Sequence, residues 1–213
     1  MRVDSLNCEF LPALKAEGDK LVVVLHGRGD TSAGFRWLPG ALELPGVHYL
    51  LTNAPDPYYG GRSWYDLPPN QAPGVERSRG LLTQLFQEVV QQGQRPENTL
   101  LLGFSQGCLM TLDFGSRSEL PLAGYVGISG YCLDPEALLA EASEPARRGK
   151  WLLTHGRFDE VLPFDRSQAQ YAQLSAAGMP LVFREYDKGH TIDLETELDD
   201  IRNFIADCLG LDQ

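Results

Sequence analysis

The sequence predicts an α/β chain built on a mostly parallel central sheet with helices on both faces. Three observations carry that prediction. Short aliphatic runs of strand length recur along the chain, segments with helical apolar spacing lie between them, and the clearest runs are continuously apolar instead of alternating. Continuous runs are the mark of strands covered on both sides.

The elements follow in order. The first two runs are "LVVVLHG" (Leu21 to Gly27) and "VHYLLTNAP" (Val47 to Pro55). From Asp56 to Gly74 the rhythm breaks: "DPYYGGRSWYDLPPNQAPG" is rich in proline and glycine yet carries Tyr58, Tyr59, Trp64, Tyr65 and Leu67. Irregular segments of this length are usually functional or disordered, and so much aromatic surface argues against disorder. Residues 56–74 are therefore expected to form a covering loop over a pocket, with a packed surface loop as the alternative. A helix follows, marked by Val75, Leu81, Leu82, Leu85, Phe86, Val89 and Val90 and closed by Gly93. "TLLLGFS" is the next strand, with a helix after Gly107. Three more strands are read in "LAGYVGISG" (Leu122 to Gly130), "KWLLTHG" (Lys150 to Gly156) and "LVFREYD" (Leu181 to Asp187). In the last segment, Leu194 to Leu209, the residues Leu194, Leu198, Ile201, Phe204, Ile205 and Cys208 share one helical face. At 213 residues the chain is expected to fold as one domain, 1–213, burying about 70% of its unfolded surface.

Composition narrows the partners. A net charge of -11 repels phosphate backbones and anionic lipid, so nucleic acid is not expected as a partner. The start of the chain has no apolar leader core and no run reaches membrane-spanning length, which predicts a cytoplasmic protein without stable membrane anchoring. Cys8, Cys108, Cys132 and Cys208 are widely separated, with no C-x-x-C pair, so reduced thiols are expected, with no metal and no other cofactor.

The chemistry is read from "GFSQG". Gly103-Phe104-Ser105-Gln106-Gly107 matches G-x-S-x-G at a strand-to-helix corner, where a tight turn lifts a serine hydroxyl clear of the sheet. A serine hydroxyl needs a base in contact and a third group to orient that base, in the chain order serine, acid, histidine. "HGRFDEVLP" supplies Asp159 beyond one strand end and "YDKGHTID" supplies His190 beyond another. Strand ends on one edge of a parallel sheet converge, so Ser105, Asp159 and His190 are expected to meet. Asp187 and Asp134 compete for the role of acid; flanking pattern and chain order favour Asp159. Of the other histidines, His48 is expected to be structural, without polar company, and His155 to orient the Asp159 loop. His26 lies in "LHGRGD", where it is expected to brace a turn whose Arg28 main-chain N–H, with that of Gln106, forms an oxyanion hole.

Together these residues resemble the phospholipase/carboxylesterase family of α/β-hydrolases, which includes bacterial carboxylesterases and acyl-protein thioesterases. The resemblance runs from "VVLHGRGD" through "GRSWYDL", "LLGFSQG", "GISGY" and "HGRFDEVLP" to "REYDKGHTI". It implies an α/β-hydrolase with a minimal covering loop and no separate cap domain. It also implies Ser105 as nucleophile, His190 as base, Asp159 as orienting acid, Arg28 and Gln106 as oxyanion donors, and Trp64 and Tyr65 beside the acyl pocket as substrate-binding residues. The expected function is a serine carboxylesterase acting on a small acyl ester or thioester through a covalent acyl-enzyme. An acyl-protein thioesterase or lysophospholipase with the same triad is the alternative, and a binding protein on an inactive scaffold is the alternative from another class. The family often forms homodimers, so a homodimer is a possible assembly. One departure stands out: the family often has a further glycine where this chain has Cys108, expected to tighten the packing under the elbow.

Overall fold

The computed structural model describes residues 1, 3–14 and 18–211. Among the described residues the strands are β1 (Cys8–Leu11), β2 (Lys20–Leu25), β3 (Val47–Thr52), β4 (Asp56–Tyr58), β5 (Gly61–Ser63), β6 (Thr99–Phe104), β7 (Gly124–Ile128), β8 (Trp151–Gly156) and β9 (Leu181–Tyr186). Its helices are α1 (Leu38–Leu42), α2 (Gln71–Gln91), α3 (Gln106–Arg117), α4 (Pro135–Glu141), α5 (Glu144–Arg148), α6 (Phe164–Ala176) and α7 (Thr196–Leu209). Seven strands form one sheet in the order β1-β3-β2-β6-β7-β8-β9; every pairing is parallel except that of β1 with β3.

All six expected strands are present, and their side chains show why the runs were legible. Along β2, Leu21, Val23 and Leu25 enter one core while Val22 and Val24 enter the other, so both faces of the strand must be apolar. The first core is completed by α2, α3, α4, α5 and α6 through residues such as Leu82, Leu109, Leu138, Ala146 and Tyr171. Leu38 and Leu42 of α1 and Leu198, Ile201 and Ile205 of α7 complete the second. Full burial of an aliphatic side chain of this size contributes about 1.5–3 kcal/mol, which is what holds α1 and α7 to the sheet. In α2 the buried stripe is Val75, Leu82, Leu85, Phe86 and Val89, whereas Val90 lies at the edge of exposure. Leu194 precedes α7 and is exposed, and Phe204 and Cys208 are half-buried.

Two elements depart from the sequence expectation. Residues 56–74 are not one irregular loop: β4 and β5 pair as a short antiparallel hairpin, a turn follows, and α2 begins at Gln71. The hairpin is tied to the segment after β2, since Gly29 N–H donates to Arg62 O at 2.8 Å and Arg62 N–H donates to Asp30 O at 2.9 Å. A side chain at Gly61 would place its Cβ 1.9 Å from the carbonyl oxygen of Gly29, so only glycine permits this approach. The second departure is β1, four half-buried residues added antiparallel at the sheet edge.

The topology also locates a site. From β2 the chain moves to β3 on one side and then crosses to β6 on the other. The carboxyl ends of β2 and β6 therefore flank the point where the direction of winding reverses, the usual position of a ligand crevice in such sheets.

Candidate active site

Ser105 occupies that corner. It caps α3 at φ 55° and ψ -113°, a conformation a non-glycine residue adopts only where the surroundings impose it. The surroundings do so through close backbone packing. A Cβ on Gly103 would come within 2.1 Å of the Gly107 carbonyl oxygen, and one on Gly107 within 2.1 Å of the Leu25 carbonyl oxygen. Ser105 N–H donates to Ile128 O at 2.8 Å, which fixes the corner to β7. Cys108 lies directly below, fully buried, with its side chain filling the space beside Gly127 and Gly130. Burial pushes its thiol up to about 12, so it stays protonated.

The structure brings Ser105, His190 and Asp159 together. The Ser105 hydroxyl lies 2.9 Å from His190 Nε2, and His190 Nδ1 lies 2.7 Å from Asp159 Oδ2. The other carboxylate oxygen of Asp159 accepts the N–H groups of Val161 at 2.9 Å and Leu162 at 2.8 Å. Burial opposes the Asp159 charge, but the N–H of Leu162, the bond and charge of His190 and the N–H of Val161 outweigh it and hold the carboxyl below its ordinary range. An ionised carboxylate can only accept, so Nδ1 carries the proton and Nε2 presents its lone pair to the serine. A hydroxyl so placed can lose its proton to the imidazole as it attacks an electrophile.

The competing acids are engaged elsewhere. Asp187 is exposed and accepts from Arg157, and Asp134 caps α4 by accepting the N–H of Ala137 at 3.0 Å. His155 is buried; its Nε2–H donates to Leu162 O at 2.9 Å and lies 3.3 Å from Asp159 Oδ2, so it braces the acid loop. His48 has polar company after all: Nδ1 accepts the N–H of Ala13 at 3.0 Å and Nε2 donates to Gly18 O at 2.8 Å.

Arg28 and Gln106 stand at the expected turn. Gln106 is the first residue of α3, where an N–H has no acceptor within the helix, and the helix dipole adds positive potential. Among the described residues neither the Arg28 nor the Gln106 N–H is donated to a backbone carbonyl. His26 sits beneath the turn, fully buried, accepting the N–H of Ala54 at 3.0 Å and donating from Nδ1 to Gly27 O at 2.6 Å. Burial holds its pKa below the ordinary value, against the opposing bond to Gly27. The Arg28 guanidinium leaves the turn and lies 4.1 Å from the centre of the Tyr58 ring.

Trp64 and Tyr65, expected beside substrate, are both fully buried, at 0% and 1% exposure. The Trp64 indole and the main chain of both residues are spent on the frame, while the Tyr65 hydroxyl is buried without a hydrogen-bond partner among the described residues. Trp64 Nε1–H donates to His26 O at 2.9 Å, Trp64 N–H to Gln106 Oε1 at 2.9 Å, and Gln106 Nε2 donates to Tyr65 O at 2.8 Å. The Gln106 side chain thus stitches the hairpin to the elbow, a role sequence reasoning missed; the only signal was a polar residue at a corner that must be buried.

Also missed was the anchor of the His190 loop. Lys188, 7% exposed, donates to Glu197 Oε1 at 2.7 Å, Thr191 O at 2.6 Å and Ser129 Oγ at 3.1 Å. Glu197, completely buried in α7, accepts the Asp193 N–H at 2.8 Å through its second oxygen. Among the described residues no group of three or more His, Cys, Asp or Glu side chains is placed to hold a metal ion, and no helix is long and apolar enough to cross a membrane.

Comparison with known proteins adds a second line of argument. A sequence model described as phospholipase/carboxylesterase matches residues 6–209. The acyl-protein thioesterase 1 of Yarrowia lipolytica is 31% identical over 172 residues, covering 73% of this chain and 75% of that protein. Carboxylesterase SOBER1 of Arabidopsis thaliana is 27% identical, with 80% of this chain and 83% of the relative covered. Among solved structures, esterase PE8 superposes with a TM-score of 0.84 at 31% identity, covering 96% of this chain and 99% of its own.

Proposed function

The chain belongs to the phospholipase/carboxylesterase family of α/β-hydrolases, and from that premise we propose that it is a serine carboxylesterase working through a covalent acyl-enzyme. Ser105 Oγ attacks the acyl carbonyl while His190 Nε2 takes its proton. The carbonyl oxygen gains the negative charge and rests against the N–H groups of Arg28 and Gln106. Loss of one such donor typically costs about 3–4 kcal/mol of transition-state stabilisation, so the turn's geometry matters as much as the nucleophile. The tetrahedral adduct collapses, the carbon–oxygen bond to the leaving group breaks, and His190 returns the proton to the departing oxygen. Water then takes the place of the alcohol, loses a proton to His190, and releases the acid and free Ser105. Throughout, Asp159 holds the imidazole tautomer and faces the positive charge it acquires. Trp64 and Tyr65 serve by holding the turn and the elbow together.

The single observation that supports this reading most is the pair of contacts from Ser105 to His190 and from His190 to Asp159. They also speak against a binding protein on a silent scaffold, which has no need of all three groups in contact. Replacing Ser105 by alanine tests the reading: hydrolysis of a 4-nitrophenyl ester is expected to fall to near background, and an unchanged rate would end it. A thioester is the second substrate class, favoured by the relation to the Yarrowia lipolytica thioesterase, because the same nucleophile and oxyanion donors act on either acyl bond. Side-by-side kcat/KM values on an ester and a thioester of one acyl chain decide between them.

A further inference from the structure

Four rings stand in file beside the reacting groups. Trp37 and Phe35 have ring centres 6.4 Å apart, Phe35 and Phe104 6.5 Å, and Phe104 and His190 5.1 Å. The file forms one wall of an open groove of about 310 Å³, which Leu194 lines from the segment after His190 and Asp30 from the segment after the Arg28 turn. Trp37 and Leu194 are 38% and 64% exposed, large apolar side chains left in water at the mouth of a site.

Chemistry says what part of a substrate lies there. The proton taken from Ser105 sits on His190 Nε2 and must be handed to the leaving atom, so that atom comes within hydrogen-bond reach of the imidazole. The remainder of the leaving group extends from that atom, past the imidazole that heads the groove. Charge then says what kind of leaving group fits. Among the described residues the groove is lined by Asp30 and by no lysine or arginine. The guanidinium groups of Arg28 and Arg166 instead lie over the rings of Tyr58 and Tyr131. An anionic leaving group would meet one carboxylate and an apolar wall, with nothing to offset its desolvation.

We propose that the groove running from His190 along Phe104 and Phe35 to Trp37 is the leaving-group subsite, and that it selects uncharged, apolar alcohols or thiols over anionic ones. The proposal rests on the serine-esterase reading of Ser105 and narrows it. Esters whose alcohol bears a phosphate or carboxylate are poor substrates, and esters of aliphatic or aromatic alcohols are good ones.

The test uses butanoate esters, so that the acyl part is constant, and compares hexyl with methyl alcohol. Each methylene held against an apolar wall adds modestly, so the parent is expected to favour the hexyl ester by about tenfold in kcat/KM. Trp37→Ala and Leu194→Ala are each expected to lower the hexyl-to-methyl ratio at least threefold, roughly the share of one wall residue. The octanoyl-to-butanoyl ratio on a constant 4-nitrophenyl leaving group is expected to stay as in the parent. Both residues are exposed, so the variants are expected to keep the parent's thermal melt. Asp30→Asn is expected to raise kcat/KM for 3-carboxyphenyl butanoate relative to phenyl butanoate. A fall in the octanoyl-to-butanoyl ratio with the hexyl-to-methyl ratio intact would assign the groove to the acyl chain and overturn the proposal. Ratios unchanged in every variant would take the groove out of the substrate's path. Failure of a fluorophosphonate to label Ser105 in the parent would instead remove the underlying esterase reading, and that result is independent of the ratios.

Discussion

Gln106 Oε1 accepts the main-chain N–H of Trp64 at 2.9 Å, joining the residue that follows Ser105 to the end of the hairpin that is bonded to the Gly29–Asp30 backbone. Its Nε2 donates to Tyr65 O at 2.8 Å, so the carboxamide is used at both ends. Replacing Gln106 by leucine keeps the main-chain N–H but leaves the Trp64 N–H buried without its partner, while the Tyr65 carbonyl keeps only the Ser63 hydroxyl at 2.9 Å. An orphaned buried N–H costs about 1–3 kcal/mol, so a chemical melt is expected to show at least the lower figure. We expect kcat/KM to fall about tenfold as the two halves of the proposed oxyanion hole lose register, less than the loss for removing a donor outright. Activity and stability equal to the parent's would show that the carboxamide has no structural part in the site.

Asp159→Asn should separate orientation from fold. The carboxamide can turn an NH₂ toward His190 Nδ1, which then becomes the acceptor, placing the proton on Nε2 where Ser105 needs a lone pair. Where this substitution is known in a serine triad it lowers kcat by about 10⁴, and we expect a loss of that order here, with a melt close to the parent's. Steady-state kinetics on a 4-nitrophenyl ester checks it; a loss below tenfold would mean that another group orients the imidazole.

The fold and the residues of the candidate site were largely legible in the sequence, for a physical reason. Strands β2, β3, β6, β7 and β8 are buried on both faces, so Leu21 to Leu25 or Leu100 to Phe104 must be continuously apolar, and such runs stand out. The serine corner announces itself because close packing at Gly103 and Gly107 admits no side chain. What was not legible depends on pairs far apart in the chain. β1 is four half-buried residues whose partner, Tyr49 to Thr52, lies about forty positions on. β4 and β5 contain Pro57 and Gly61, with Gly60 in the turn between them, and exist because Arg62 bonds to the backbone at Gly29 and Asp30. The bonds of His48 to Ala13 and Gly18, of Gln106 to Trp64 and of Lys188 to Glu197 are of the same kind.

The Lys188–Glu197 pair invites a double-mutant cycle. Lys188→Met leaves a completely buried carboxylate without its partner, and breaking a buried pair in this way costs about 3–5 kcal/mol. Replacing both residues, as in Lys188→Met with Glu197→Leu, is expected to restore most of that stability, since a well-packed apolar pair often matches an ion pair. Activity is not expected to recover with it, because the Lys188 bond to the Thr191 carbonyl beside His190 is gone. Full recovery of both would reduce the pair to a packing element.

Stability should depend on pH through two histidines outside the reacting set. Burial holds both His26 and His155 below the ordinary imidazole value of 6.5. Their folded pKa values are depressed, so the unfolded chain takes up protons first as the pH falls. The stabilisation is complete above pH 6.5 and is lost progressively below it, at up to about 1.4 kcal/mol per pH unit for each histidine. Urea melts at pH 7, 6 and 5 should show the decline, and His155→Gln should make it shallower. A parent and variant with identical pH dependence would remove His155 from the explanation.

The central claim is that Ser105 is a nucleophile activated by His190 across 2.9 Å. Treating the protein with a fluorophosphonate and mapping the adduct by peptide mass spectrometry tests it most directly. The adduct is expected on Ser105 alone and its formation strongly slowed in His190→Ala. An adduct on another residue, or labelling of Ser105 at the parent's rate without His190, would contradict the account.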